Sequence, residues 1–244
     1  MLRNRLITVL TFFNGVLFRT KLFKPDYRYT SNFVDMWSVD EIVMVDISKA
    51  KHKNTFISVI DNFAKNCFVP LTVGGGIKKT ADAKKYLDVG ADKIVLNSGA
   101  IKDPKVITKI AQSYGSQCVI VGIDFKRIEN QFKIYSQSGE KVESIDPVKW
   151  AIEVENLGAG EIFLNSVDRD GSLSGYDLDF LKTISQNVKI PIIIGGGAGN
   201  WKHFLEGIKN GADAVSTNNI YHFTEKSIIN AKNYLNQNEV SIRI

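Results

Sequence analysis

A repeated segment constrains this chain more than any other feature. Pro70-Leu71-Thr72-Val73-Gly74-Gly75-Gly76 returns as Pro191-Ile192-Ile193-Ile194-Gly195-Gly196-Gly197, and Gly90-Ala91-Asp92 returns as Gly211-Ala212-Asp213. Both pairs are 121 residues apart, and twice that interval is almost the whole length of 244. Glu41-Ile42 and Glu161-Ile162 echo the same repeat. The chain therefore reads as two similar halves, roughly residues 1–117 and 118–244. Neither half can bury both faces of its own strands, so the two are expected to close around a shared core. No linker or low-complexity stretch separates them, and residues 1–244 read as a single domain.

Short apolar runs alternate with longer amphipathic stretches. The runs are Leu6–Leu10, Ile42–Ile47, Val69–Val73, Lys93–Leu96, Val119–Ile123, Glu161–Leu164, Ile190–Ile194 and Ala214–Ser216. They are rich in β-branched residues and nearly continuous, as parallel strands covered on both faces must be. Helices are predicted over Thr80–Leu87, ended by Gly90, and over Pro104–Tyr114, with Asp103 as N-cap and Gly115 as stop. Pro147–Leu157 and Asp179–Ile184 repeat the pattern. Eight strand–helix units at this length fit an α/β fold of the (β/α)8 TIM-barrel type, built from two half-barrels. A doubly wound open sheet is the alternative, but no GxGxxG follows the first strand.

Composition narrows the function classes. Two cysteines, Cys67 and Cys118, cannot make a disulfide framework, which suits a reducing cytoplasm. His52, His203 and His222 are scattered, and no Cys/His pair has metal-ligand spacing, so neither metal nor other cofactor is expected. The net charge of +5 comes from dispersed lysines rather than a basic tract with interleaved aromatics, which argues against nucleic acid as partner. Arg3 and Arg5 before Leu6–Leu10 resemble the start of a signal peptide, but Asn14-Gly15 interrupts the apolar stretch, and a buried first strand ending in a turn is the better reading. No apolar run approaches a membrane span.

In a barrel the strand C-termini and the loops after them form the active face. Gly74–Gly76 and Gly195–Gly197 fall there, where glycine lets backbone N–H groups approach an oxyanion. Asn97-Ser98 and Asn218-Asn219 end the next strand in each half, and Asp170-Gly171 adds a tight turn. Two related anion pockets, one per half, would suit a ligand with a phosphate at each end. Both triplets also fit plain strand-to-helix turns. Asp124 ends the fifth strand and is a candidate proton shuttle, whereas Thr11 holds the symmetric place on the first strand and cannot act alone near neutral pH. At the opposite end, Arg5, Glu41, Lys93 and Glu161 each start a strand. They could form a mutually paired ring, serving either as a stability network or as a gate for a small polar molecule.

The whole chain resembles the cyclase subunit of imidazole glycerol phosphate synthase, the barrel partner of a class I glutaminase in histidine biosynthesis. The stretches that carry the resemblance include Leu71-Thr72-Val73-Gly74-Gly75-Gly76-Ile77, Gly90-Ala91-Asp92-Lys93, Ile110-Ala111-Gln112, Gly115-Ser116-Gln117 and Ile123-Asp124. In the second half they are Gly158-Ala159-Gly160-Glu161-Ile162, Asp168-Arg169-Asp170-Gly171, Ser174-Gly175-Tyr176-Asp177, Gly197-Ala198-Gly199, His203-Phe204-Leu205-Glu206 and His222-Phe223. The resemblance implies a glutaminase docked on the barrel bottom as a heterodimer. It implies that ammonia passes a charged ring and rises through the interior to a bis-phosphorylated substrate at the top. Arg5, Glu41, Lys93 and Glu161 take the gate positions and Asp92 a docking position. Gly76, Asn97 and Ser98, with Asp170, Gly171, Gly197, Asn218 and Asn219, take the phosphate positions. Asp124 takes the place of the later-acting acid–base aspartate.

The departures from the family pattern gather at the top. Thr11 stands where the family has its other catalytic aspartate, and Arg19 where it has a loop lysine. Arginine can hold an anion but does not release its proton at neutral pH. Asn165 replaces the usual threonine, and Asn218 and Asn219 replace smaller residues. The expected function is that of a paralogue which keeps the glutaminase and the ammonia conduit, and serves amidation of a surface-glycan sugar through a separate amidotransferase. An active cyclase and a non-catalytic activator of the glutaminase are the alternatives. All three retain the ring, and the first two require a passage from underside to rim, expected to be polar-lined.

Overall fold

The computed structural model describes residues 3–28, 38–48, 53–218 and 227–243; His52 and His222 lie outside them. The elements in chain order are β1 (Arg5–Phe13), β2 (Val16–Lys21), β3 (Lys24–Arg28), β4 (Glu41–Asp46), α1 (Lys53–Asn66), β5 (Leu71–Gly74), α2 (Thr80–Asp88), β6 (Lys93–Leu96), α3 (Ser98–Lys102) and α4 (Lys105–Tyr114). They continue with β7 (Val119–Ile128), β8 (Gln131–Ser136), β9 (Lys141–Glu143), α5 (Pro147–Asn156), β10 (Glu161–Ser166), α6 (Leu178–Ser185), β11 (Ile192–Gly195), α7 (Trp201–Lys209), β12 (Ala214–Thr217) and α8 (Ser227–Gln237).

β1, β4, β5, β6, β7, β10, β11 and β12 pair in parallel in that order, and β12 returns to β1, so the sheet closes into an eight-stranded barrel. Closure settles the fold in favour of the barrel over an open sheet. The side-chain alternation of β-strands then explains the near-continuous apolar runs. One set, including Leu6, Leu10, Ile42, Met44 and Val121, packs outward under the helices in the main core. The other set, Ile7, Val43, Val95, Ile120, Phe163, Ile193 and Ala214, forms a separate apolar layer inside the barrel.

Local chemistry places the helices. Asp146 caps α5 by accepting from the Lys149 N–H at 2.8 Å, with Pro147 as first residue. Asp177 caps α6 by accepting from the Phe180 N–H at 3.2 Å, and Asn200 caps α7 through the His203 N–H at 3.1 Å. The expected cap at Asp103 is corrected: Asp103 closes α3, and Pro104 precedes α4 without a side-chain cap. Only its backbone carbonyl enters the next helix, accepting from Val106 N–H at 3.0 Å.

β1 and β7 are longer than the sequence predicts, because each runs past the rim into an antiparallel hairpin. β1 pairs with β2 and β2 with β3; β7 pairs with β8 and β8 with β9. The turn after β1 uses Asn14 at φ 53° and Gly15 at φ 77°, and the turn after β7 uses Glu129 at φ 47° and Asn130 at φ 63°. Both are two-residue turns of positive φ, whose twist suits a tight hairpin. The repeat therefore extends to the architecture of the rim.

Candidate active site

The strand C-termini enclose a cavity of about 1270 Å³. Thr11, Asp46, Gly76, Asn97, Ser98, Asp124, Asn165, Asp170, Gly171, Gly197 and Asn218 all line it, so most of the residues picked from the sequence converge on one space. Asn219 lies outside the described residues.

The two glycine triplets serve a packing role and a lining role at once. A Cβ on Gly75 would stand 2.4 Å from the Asp46 carbonyl oxygen, and one on Gly196 would stand 2.4 Å from that of Ser166. The middle glycine of each triplet thus lets the loop cross the end of the neighbouring strand. The third glycines, Gly76 and Gly197, face the cavity. Lys24, Lys78 and Lys126 share the same walls and give the cavity positive charge of the kind that attracts anions.

Asp124 sits at the end of β7, held by the Asn97 side-chain amide at 3.0 Å. That amide also reaches the Gly122 carbonyl at 3.1 Å, which fixes its orientation. Burial in the cavity, aided by the neighbouring charge of Asp170, pushes the Asp124 carboxyl up to about 7. A group balanced there can both give and take a proton near neutrality. Asp170 is itself raised by burial, an effect the Phe23 N–H, the Thr20 hydroxyl and Arg19 partly offset. Its carboxylate accepts from the Phe23 N–H at 3.0 Å, and its carbonyl from the Leu22 N–H at 3.2 Å. Asp170 thus anchors the turn of the first hairpin over the second half of the barrel. Asn218 adds a hydrogen bond to the Thr20 hydroxyl at 3.1 Å. The second hairpin mirrors this arrangement, with Gln137 N–H donating to the Ser98 hydroxyl of the first half at 2.9 Å.

Two further candidates have contacts that the sequence did not show. Arg19 lies on β2 and forms an ion pair with Asp26, and it is not among the cavity-lining residues. Asp92 has a structural duty, its carboxylate accepting from the Leu71 N–H at 2.8 Å. Its repeat partner Asp213 does the same for the Ile192 N–H at 2.9 Å. Sequence reasoning missed Asp46, Lys24 and Lys126. Asp46 had a visible signal, since Val45-Asp46 ends its strand as Ile123-Asp124 does. The lysines had none, because the hairpins that carry them to the rim were not foreseen.

At the other end of the barrel the four charged residues meet. Arg5 binds Glu41 at 2.9 Å and Glu161 at 2.5 Å; Lys93 binds Glu41 at 3.0 Å and Glu161 at 2.7 Å. Burial would raise the Glu161 carboxyl, but Arg5 and Lys93 outweigh it and hold it below the usual range. The Thr72 hydroxyl donates to the remaining Glu41 oxygen at 2.6 Å. Above the ring, the packed apolar layer of Ile7, Val43, Ile120, Phe163, Ile193 and Ala214 replaces the expected polar lining. The cavity floor of Val9, Val45, Val95 and Phe163 is apolar as well.

A family profile described as "Histidine biosynthesis protein" matches residues 8–227. The chain belongs to that family. Over 208 residues it is 45% identical to the imidazole glycerol phosphate synthase subunit HisF of Hydrogenobaculum sp. (strain Y04AAS1), covering 84% of this chain and 82% of the relative. It is also 45% identical over 219 residues to the HisF subunit of Clostridium botulinum (strain 657 / Type Ba4), covering 88% and 86%. Membership in the histidine biosynthesis family agrees with the resemblance seen in the motifs and with the closed barrel. Among the described residues no helix is long and apolar enough to cross a membrane.

Proposed function

We propose that this chain is the ammonia-receiving subunit of a class I glutaminase pair in the cytoplasm, that it binds a phosphorylated small molecule in the rim cavity, and that its own cyclase step is weakened. The nitrogen then serves amidation of a surface-glycan sugar by a separate amidotransferase. The observation that carries this reading is the contrast at the rim. Asp124 is tuned near neutrality, while Thr11 stands on the first strand and Arg19 is turned to Asp26. The ring below is complete. An apolar interior suits neutral ammonia, which loses less on leaving water than ammonium does.

A second reading, an active cyclase yielding imidazole glycerol phosphate and an aminoimidazole carboxamide ribotide, draws on Asp124 itself and on the size of the cavity. The purified chain, given the bis-phosphorylated ribulosyl formimino substrate and an ammonium salt, separates the two. Slow turnover that Thr11→Asp accelerates supports the first reading. Rapid cyclisation by the parent chain overturns it and establishes the second.

A further inference from the structure

The ring at the barrel bottom is chemically lopsided. Its two carboxylates come from the repeat, Glu41 from the first half and Glu161 from the second. Both cations come from the first half, and the repeat counterpart of Lys93 is Ala214. The counterpart of Thr72 is Ile193, which has no hydroxyl. Glu41 therefore has three kinds of partner: Arg5 at 2.9 Å, Lys93 at 3.0 Å and the Thr72 hydroxyl at 2.6 Å. Among the described residues, the side-chain bonds of Glu161 go to the two cations alone. The exposures follow the same division. The Glu41 side chain is 1% exposed and that of Glu161 is 10% exposed.

We infer that Thr72 is a positioning residue that pins Glu41, so that the ring opens on its Glu161 side. Thr72 is fully buried on β5, next to β4, and its hydroxyl has Glu41 as acceptor. With one oxygen held by a neutral donor, Glu41 keeps the other aimed at Arg5 and Lys93. A pinned carboxylate gives both cations an anchor while they release Glu161, whose side faces more water. Without the hydroxyl, the buried Glu41 oxygen lacks a donor, and Glu41 must turn to recover one, loosening both halves of the ring. The inference rests on the ammonia-receiving reading for its purpose, but its physical content does not need a substrate.

The test compares Thr72→Val, which keeps the shape, with Thr72→Ser, which keeps the hydroxyl. In the ¹⁵N-labelled full chain, solvent exchange of the Lys93 ammonium and Arg5 guanidinium protons should quicken about tenfold or more in T72V, the equivalent of one lost hydrogen bond to a charged group. T72S should stay close to the parent. With a class I glutaminase bound, the ratio of glutamine-driven to ammonium-driven turnover should fall several-fold in T72V and recover in T72S. Thr72→Ala answers the same question if valine prevents folding. Parent-like exchange in the hydroxyl-free variant overturns the inference, as does an unchanged turnover ratio with the glutaminase still bound. If the parent shows no turnover on ammonium, the failure belongs to the proposed function, and the exchange rates alone decide the role of Thr72.

Discussion

The two ends of this barrel handle charge in opposite ways. At the bottom, two carboxylates and two cations alternate, and every charge has a partner of opposite sign within 3.0 Å. At the rim, Asp124 and Asp170 face one buried space and repel one another. Burial alone would raise the carboxyl groups at both ends, yet Glu161 goes down and Asp124 goes up. At Glu161 the two cations outweigh burial, whereas at Asp124 burial sets the direction and the charge of Asp170 adds to it. A depressed carboxylate suits a structure that must stay ionised, and one near neutrality suits proton transfer. The same side-chain chemistry thus gives a ring that stays ionised at one end and a titrating group at the other.

The largest effect should come from removing the titrating group. Asp124→Asn keeps a hydrogen-bonding amide beside Asn97 but cannot shuttle a proton. Turnover on ammonium should drop by roughly 10²–10⁴-fold, the usual contribution of a positioned acid–base group. Affinity for the phosphorylated ligand, followed by calorimetry, should hardly move. A variant that keeps parental turnover would remove Asp124 from the chemistry and erase the functional half of the contrast.

The ring should fail next, and through stability. Arg5→Met leaves Lys93 as the one cation shared by both glutamates, with Glu41 keeping its bond from the Thr72 hydroxyl. Breaking one side of a buried pair should cost about 3 kcal/mol, the low end for such losses because water reaches part of the ring. The Arg5 side chain is 14% exposed, which justifies that discount. Urea unfolding reads the cost directly. A loss comparable to that of an ordinary surface pair would mean that the ring contributes little to the fold.

pH should separate the two ends. The folded Asp124 holds its proton up to about 7, whereas the unfolded group releases it near 4. Its contribution to stability is therefore full below pH 4 and is lost as pH rises through 7. Glu161 runs the other way: its contribution is present above the unfolded value and is lost as pH falls through the depressed folded one. Asp124→Asn should then stabilise the chain by about 2–4 kcal/mol at pH 8, the upper end being the full difference between the folded and unfolded values, and change little at pH 4. Urea midpoints at the two pH values measure it, and an equal shift at both would show that Asp124 is not raised. Losing activity while gaining stability is the mark of a group held in an unfavourable charge state for function.

How much of this was legible in the sequence follows from what each feature depends on. The barrel strands were readable because the offset of 121 residues and the double-faced apolar runs are local or periodic signals. The ring was readable as four strand-initial charges, since closure leaves such residues only one another as partners. The rim was harder. Asp124 showed itself by its place at a strand end, but its proton affinity depends first on burial in a cavity closed by distant loops and then on Asp170, which lies 46 positions away. Arg19 could be picked out as a candidate cation, but its ion pair with Asp26 depends on the β2–β3 hairpin, which the sequence did not show. Hairpins built from ordinary residues at positive φ, such as Leu22 at 54° and Phe23 at 62°, leave little trace in composition. The expected polar passage failed for a related reason: the residues that line the interior are the inward half of strands whose outward half is equally apolar.

The smallest effect tests how the rim is held together. Asn218 donates to the Thr20 hydroxyl at 3.1 Å and ties the end of β12 to the first hairpin. Asp170 ties the same hairpin through the Phe23 N–H. Asn218→Ala removes one of these ties, while the Thr20 hydroxyl keeps donating to Asp170. Because that hydroxyl keeps a partner, the loss should be about 0.5–1.5 kcal/mol, the net worth of a single hydrogen bond. Amide exchange in Thr20–Phe23 should quicken by roughly the same free energy, while exchange around Arg5 and Lys93 should stay as it was. A change that spread to the bottom ring would show the two ends to be energetically linked through the apolar layer, and the separation drawn between them would have to be abandoned.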